Sequence, residues 1–360
     1  MDLARSSDID EAEYERFLDR FASRPGAALA YHYPFHLRFL AGTAYPTGRV
    51  RFVTARDARG ALVGVIPAVH VRTSAVNLWL SLAYFGPNAG ALVGDADAAR
   101  SASLVGALTA TARLDAQDLD CGSMTLYTPL NAVPDGYRTG LDGVDFDTGR
   151  IAQWLRLPAD PDASPWPRKV RYDIRRAASL GVTVRAVADQ DELDRVWEIY
   201  ERNCQDVGIP VKPREHVRAL YHTAGDHELF LLAEHGGGIV AGLIGLLGGG
   251  VLSYYLPCTR LESRPLQPGL LLLDRAVAIA RGRGCRLLNF EASPSVESPV
   301  YRFKERCGGA PVPYRVLVKL LRRDVLDEYR ALTPAGLGRE APHAFVVPFE
   351  ALSGAPRESM

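Results

Sequence analysis

Two charged side chains in one stretch have the types and spacing to do chemistry. In residues 288–314, LNFEASPSVESPVYRFKERCGGAPVPY, a hydrophobic run of strand type (Leu287, Leu288, Phe290) ends in Glu291 and then in small polar residues. A short helical pattern follows over 301–307, carries Lys304, and stops at Gly308-Gly309, where a helix end is expected. A second extended run spans 312–320. The spacing puts a carboxylate at a strand end and a lysine on a helix one loop later, which is how a site is mounted on a sheet edge. Glu291 could be a general base or bind an amine; equally, it could cap the loop that follows. Lys304 could be a solvated helix residue, but composition argues against that. Of 42 basic residues only Lys169, Lys212, Lys304 and Lys319 are lysine, and a compact ammonium is not interchangeable with an arginine fork.

Other candidates lie upstream. Tyr254 and Tyr255 sit on one predicted strand, so one points to each face. Gly269 opens a predicted helix and could leave room for a phosphate or only ease packing. His32 and His36 have i,i+4 spacing, but Pro34 stands between them and no third ligand is evident, so no metal site is expected. The predicted helix 168–180 carries Arg168, Lys169, Arg171, Arg175 and Arg176 against one Asp173. That face could contact nucleic-acid phosphates or simply be solvated.

The elements that must position these residues follow from hydrophobic period. Helices are predicted over 10–21, 95–114, 168–180, 191–204, 213–222 and 268–281. Strands are predicted over 50–55, 61–71, 78–85, 124–127, 154–157, 182–187, 229–234, 239–247 and 252–256. Residues 131–149 read as a turn-rich connector, and 160–167 (DPDASPWP) as a linker. The two hairpins match without a gap: Phe52, Ala55, Gly60, Gly64 and Ile66 recur 178 positions on as Phe230, Ala233, Gly238, Gly242 and Ile244. The order of elements agrees on both sides, which favours duplication of an α/β domain with a largely antiparallel sheet. The domains expected are 1–158, a linker 159–167, a second copy 168–330 and a tail 331–360.

With 42 basic and 42 acidic residues the formal net charge is zero, so nothing global draws the chain to nucleic acid or a membrane surface. No apolar run reaches the ~18 residues of a membrane span, and no signal peptide is visible at the N-terminus. Five scattered cysteines without a Cys-x-x-Cys pair read as reduced thiols of a cytoplasmic protein.

The element order of the second copy resembles the GNAT acyltransferase superfamily. The pieces that carry the resemblance are 169–177 (KVRYDIRRA), 233–242 (AEHGGGIVAG), 268–274 (PGLLLLD) and Phe303-Lys304 ahead of Gly308-Gly309. The tandem arrangement is similar to the Fem-type (FemABX) aminoacyltransferases and their FemAB-like or cellulose-biosynthesis-type acetyltransferase relatives. The resemblance implies two tandem GNAT-like domains of α/β (α+β) class, each a largely antiparallel mixed sheet flanked by helices. It implies transfer of an acyl or aminoacyl group from acyl-CoA or aminoacyl-tRNA, as co-substrate and not as a tightly bound cofactor. The acceptor would be an amine: a peptidoglycan precursor, an amino sugar or a small metabolite. Lys304 and Glu291 would be catalytic, the lysine beside the reacting carbonyl or the donor phosphates. Phe303, Tyr254, Tyr255, Ser293 and Arg302 would bind substrate, and Gly269 the donor. The basic face at 168–176 would be the tRNA contact. Two features depart from the pattern. Residues 259–269 (TRLESRPLQPG) do not fit the Gln/Arg-x-x-Gly-x-Gly/Ala pyrophosphate loop, and 208–213 is too short for the helical-hairpin insertion of some Fem proteins. The missing loop also fits a non-catalytic GNAT-fold binding or assembly factor of envelope biogenesis.

Overall fold

A computed structural model of the chain describes all residues except 7, 22–23, 83, 85–89, 95–96, 129–133, 161, 323, 332–343, 345 and 353–360. The elements run β1 (Asp2–Ser6), α1 (Glu11–Asp19), α2 (Pro34–Phe39), β2 (Arg49–Arg56), β3 (Leu62–Arg72), β4 (Asn77–Leu80), β5 (Leu92–Val93), α3 (Ala98–Asp118), β6 (Cys121–Tyr127), α4 (Pro134–Leu141), β7 (Phe146–Arg156), α5 (Arg168–Ser179), β8 (Thr183–Ala186), α6 (Gln190–Val207), α7 (Arg214–Thr223), β9 (Glu228–His235), β10 (Gly238–Gly248), β11 (Val251–Thr259), α8 (Pro268–Gly282), β12 (Leu287–Ala292), α9 (Pro299–Arg306), β13 (Ala310–Leu320), α10 (Val325–Ala331) and α11 (Phe349–Leu352).

Contacts divide the chain into two compact units, one of residues 1–22, 31–150 and 313–360, the other of 23–30 and 151–312. In the first, the strand order is β1-β2-β3-β4-β6-β13, with β5 beside β3; in the second it is β7-β12-β11-β10-β9-β8. Each unit has one parallel pair at the same place in its topology, β4 with β6 and β11 with β12. The first unit's core packs α3 on Val53, Ala55, Ile66 and Ala68; the second packs α8 on Leu231, Ala233, Ala241 and Leu243.

These boundaries correct the contiguous domains read from sequence. Leu287 and Leu288 of β12 pair with Arg156 and Leu155 of β7, so the end of β7 belongs to the second unit. Val316 to Leu320 of β13 pair with Tyr127 to Ser123 of β6, which returns the chain after 312 to the first unit. Residues 160–167 are not a free linker either. Trp166 is buried in the second core and its indole N–H donates to Asp274 Oδ1 at 2.6 Å. Residues 24–30 dock on the same unit: Gly249 has φ +57, and a Cβ there would lie 2.1 Å from the Ala28 carbonyl oxygen. The expected connector 131–149 contains α4 and the start of β7, and the strand expected over 78–85 ends at Leu80, with 85 outside the described residues. From the tail, Tyr329 is buried, hydrogen-bonded to Ser123 Oγ, and Val346 and Val347 are buried too.

The duplicated hairpins share topology but not the gapless register. The turn between β2 and β3 spans residues 57–61, that between β9 and β10 only Gly236 and Gly237. The ladder irregularity lies at Ala55/Arg56 in the first copy and at Ile239/Ala241 in the second. A one-residue slip reverses every side chain. A Cβ on Gly64 would meet Leu108 of α3, whereas one on Gly242 would meet Val196 of α6. The first strands of the two hairpins therefore correspond at an offset of 178, and the second strands do not.

Candidate active site

The second unit's sheet opens where its two parallel strands part. β11 and β12 pair only at Val251–Leu287, Leu252–Leu288 and Ser253–Asn289. Beyond this β11 stays with β10 through Thr259, while the β12–β7 ladder is broken between Asn289 and Ala292. The break is built on Glu291, whose φ of +62 is the left-handed region that a glutamate rarely adopts. Asn289 fixes it from both sides: its side-chain amide donates to Glu291 Oε1 at 2.7 Å, and its Oδ1 accepts the Glu291 N–H at 2.9 Å.

Lys304 locks the same bulge. Helix α9 starts at Pro299, with Ser298 Oγ accepting the Tyr301 N–H at 3.1 Å, and ends where Gly308 takes φ +91. This frame turns Lys304 inward, to 4% exposure. Its Nζ donates to the Glu291 carbonyl at 3.0 Å, the Ala292 carbonyl at 2.8 Å and Ser293 Oγ at 3.1 Å. Burial pushes its pKa down to about 8, while the Glu291 carboxylate pulls it up. Ser293 is tied to the strand below through Gln153. The structure thus brings Glu291, Ser293 and Lys304 together, and the ammonium faces the bulge. Three acceptors saturate its three N–H groups.

On one face of the opening lies a cleft of about 330 Å³ lined by Tyr254, Arg264, Gly269, Phe303 and Arg306, with Cys258 and Asn203 of α6 completing its wall. Tyr254 meets Phe290 edge-on, with centroids 5.9 Å apart. Gly269 is in the first turn of α8, where a Cβ would come within 3.3 Å of Thr259 Oγ1. The N-cap residue of α8, Gln267, makes no side-chain cap, whereas the topologically matching α3 is closed by Asp97, which accepts the Ala99 and Arg100 N–H groups. The stretch 259–269 is not a glycine loop; Leu261–Leu266 forms a 3-10 turn that places Arg264 on the cleft wall. Of the sequence candidates, Arg302 is exposed and off the cleft. Arg306 takes that place, its guanidinium 5.6 Å from the Phe303 ring centroid. The cleft thus offers two guanidinium groups and an uncapped helix start, which together suit an anion.

On the other face Tyr255 meets Lys212, whose Nζ lies 4.9 Å from its ring centroid. Lys212, in the loop between α6 and α7, is 8% exposed. Burial lowers its pKa to about 7 against the pull of the Cys204 thiol and the Glu291 carboxylate. Sequence reasoning missed it, although the scarcity of lysine pointed to Lys212 as much as to Lys304. The basic side chains Arg168, Lys169, Arg171, Arg175 and Arg176 are all exposed on α5, around Tyr172 at 60% exposure. In the first unit, His36 lies in α2 and His32 precedes it. His32 Nε2 meets the Gly90 carbonyl at 3.0 Å and His36 Nδ1 the Tyr31 carbonyl at 3.2 Å. All five cysteines are buried thiols. Among the described residues no helix is long and apolar enough to cross a membrane.

Residues 167–305 match the family model of an acetyltransferase (GNAT) domain. No curated protein matches the chain. Among solved structures, FemX superposes with a TM-score of 0.68 at 14% identity, over 88% of this chain and 97% of FemX. A tandem GNAT protein from the clavulanic acid biosynthesis pathway, solved without AcCoA, gives 0.55 at 17% identity, over 88% and 98%. L-PGS from Bacillus licheniformis gives 0.53 at 12% identity, over 91% and 96%.

Proposed function

We propose, from the premise that the chain has a FemABX-like tandem GNAT fold, that it is an acyltransferase whose second unit moves an acyl or aminoacyl group onto an amine. The observation that carries the reading is the parting of β11 from β12, with an anion-suited cleft on one face and, on the other, the buried Lys212 within electrostatic reach of the partly exposed Glu291. A carbonyl held at the parting is reachable from both faces. The donor lies on the α8 face, its phosphates between Arg264, Arg306 and the first turn of α8. Acyl-CoA and aminoacyl-tRNA share this phosphate chemistry, and for the second the exposed basic face of α5 supplies further phosphate contacts. The acceptor amine, on a peptidoglycan precursor, an amino sugar or a small metabolite, comes from the Tyr255 face and meets the Glu291 carboxylate. Phe303 walls the donor side. Lys304 holds the bulge that aims Glu291; it reaches a developing oxyanion only by releasing one of its three acceptors.

Coenzyme A binding, measured by titration calorimetry, tests the donor site. The double variant Arg264→Glu, Arg306→Glu is expected to bind roughly tenfold or more weakly, with a flatter salt dependence, because two attractive charges become repulsive. Unchanged affinity would remove the phosphates from this cleft.

A further inference from the structure

We propose that Lys212 is the catalytic base of the transfer, taking the proton that the acceptor nitrogen loses as it bonds to the acyl carbon. The proposal rests on the acyltransferase reading above. Its ground is the way the chain builds the residue into the site. The backbone of Lys212 is pinned on both sides by α6: Trp197 Nε1 donates to its carbonyl at 2.9 Å, and its own N–H donates to Tyr200 Oη at 3.1 Å. Pro213 follows and starts α7, so the segment has no slack. Held this way, the side chain runs inward to the Tyr255 ring, on the part of β11 that has left β12.

Titratable groups face it from every packed element: Tyr200 and Cys204 from α6, His216 from α7, Tyr255 from β11 and Glu291 from β12. Lys212 is itself buried, while Glu291 and Tyr255 beside it are partly exposed. A surface lysine stays charged and cannot accept a proton near neutral pH. Desolvation by burial makes the neutral amine accessible here, and a base titrating near the working pH is the effective one. The step balances. The nitrogen–carbon bond forms, and the carbon–sulfur bond of a thioester (or carbon–oxygen bond of an ester) breaks with its electron pair on the leaving atom. The proton passes from nitrogen to Lys212 Nζ and from there to the leaving thiolate or alkoxide.

Because the chain has only four lysines, NMR of the full-length protein labelled with 13C at the lysine ε-carbons reads each one directly, with Lys212→Met assigning the signal. The Lys212 resonance is expected to titrate at about 7, and the rate of amine acylation to rise with pH along the same limb. Lys212→Arg keeps the positive charge but cannot deprotonate. It is expected to lose roughly a hundredfold or more in kcat, to lose the limb, and to keep the KM for the acyl donor. A midpoint above ~9, near that of an ordinary lysine, overturns the proposal alone. So does an arginine variant with the parent rate and profile. Absence of amine acylation with either donor class overturns the functional reading, and this proposal with it.

Discussion

Lys304→Met is expected to lower kcat by roughly a hundredfold or more and stability by about 2–4 kcal/mol. Methionine keeps the stem and removes the three donors. The carbonyls of Glu291 and Ala292 and the hydroxyl of Ser293 then lose their shared partner at a site where Lys304 is only 4% exposed. Each unsatisfied buried acceptor costs about 1–3 kcal/mol, partly offset because the amine no longer has to be desolvated. The larger loss is geometric. A left-handed glutamate persists only while its surroundings hold it, and without the clamp Glu291 relaxes away from φ +62. Lys304→Arg is not expected to rescue, since a planar fork does not match three acceptors converging on one point. Denaturant unfolding and steady-state rates check both halves, and a methionine variant with parent stability and turnover would remove Lys304 from the site.

Glu291→Gln is expected to lower kcat/KM for the acceptor by about 10²- to 10³-fold with little change in fold. Glutamine retains an Oε1 acceptor for the Asn289 amide and the same backbone, so the substitution isolates the charge. Two separate readouts follow. The acceptor's ammonium loses its carboxylate. The carboxylate also raises the pKa of both buried lysines, so its removal drops Lys212 below about 7 and Lys304 below about 8. Both lysines titrate lower in the fold than in the unfolded chain, whose lysine value is 10.5. From about 7 up to 10.5 the unfolded chain therefore binds more protons, and stability rises with pH across that window; below it the full cost of the buried ammonium groups is present. Parent kinetics together with unmoved lysine midpoints would remove Glu291 from the cluster.

What the sequence made legible was local and periodic. The Phe303-Lys304 helix, its stop at Gly308-Gly309 and the strand ending near Glu291 could be read because period and punctuation are local signals. The bulge could not, since nothing in the string LNFEAS says that Glu291 turns left-handed; that depends on Asn289 and on Lys304, which is distant in sequence. Arg302 was named as a substrate-binding residue, but the guanidinium that meets Phe303 is that of Arg306. On a helix the neighbour of Phe303 on its own face is three residues on, not one back. Trp166 was lost in a Pro- and Ser-rich stretch whose composition reads as linker, although its indole anchors it to Asp274. The hairpin repeat misled about faces because identity at a fixed offset carries no information on bulges. The scarcity of lysine marked Lys212, but its burial could not be read because a short loop displays no period and its depth comes from Trp197, Tyr200 and Tyr255 meeting around it.

The most direct measurement offers the purified full-length protein two donor classes, acyl-CoA thioesters and aminoacyl-tRNA, with a panel of amine acceptors, and detects products by mass spectrometry. The account predicts an N-acylated or N-aminoacylated acceptor from at least one class, lost in Lys304→Met and Glu291→Gln. A folded protein that binds donor and yields no amide product from either class would contradict it.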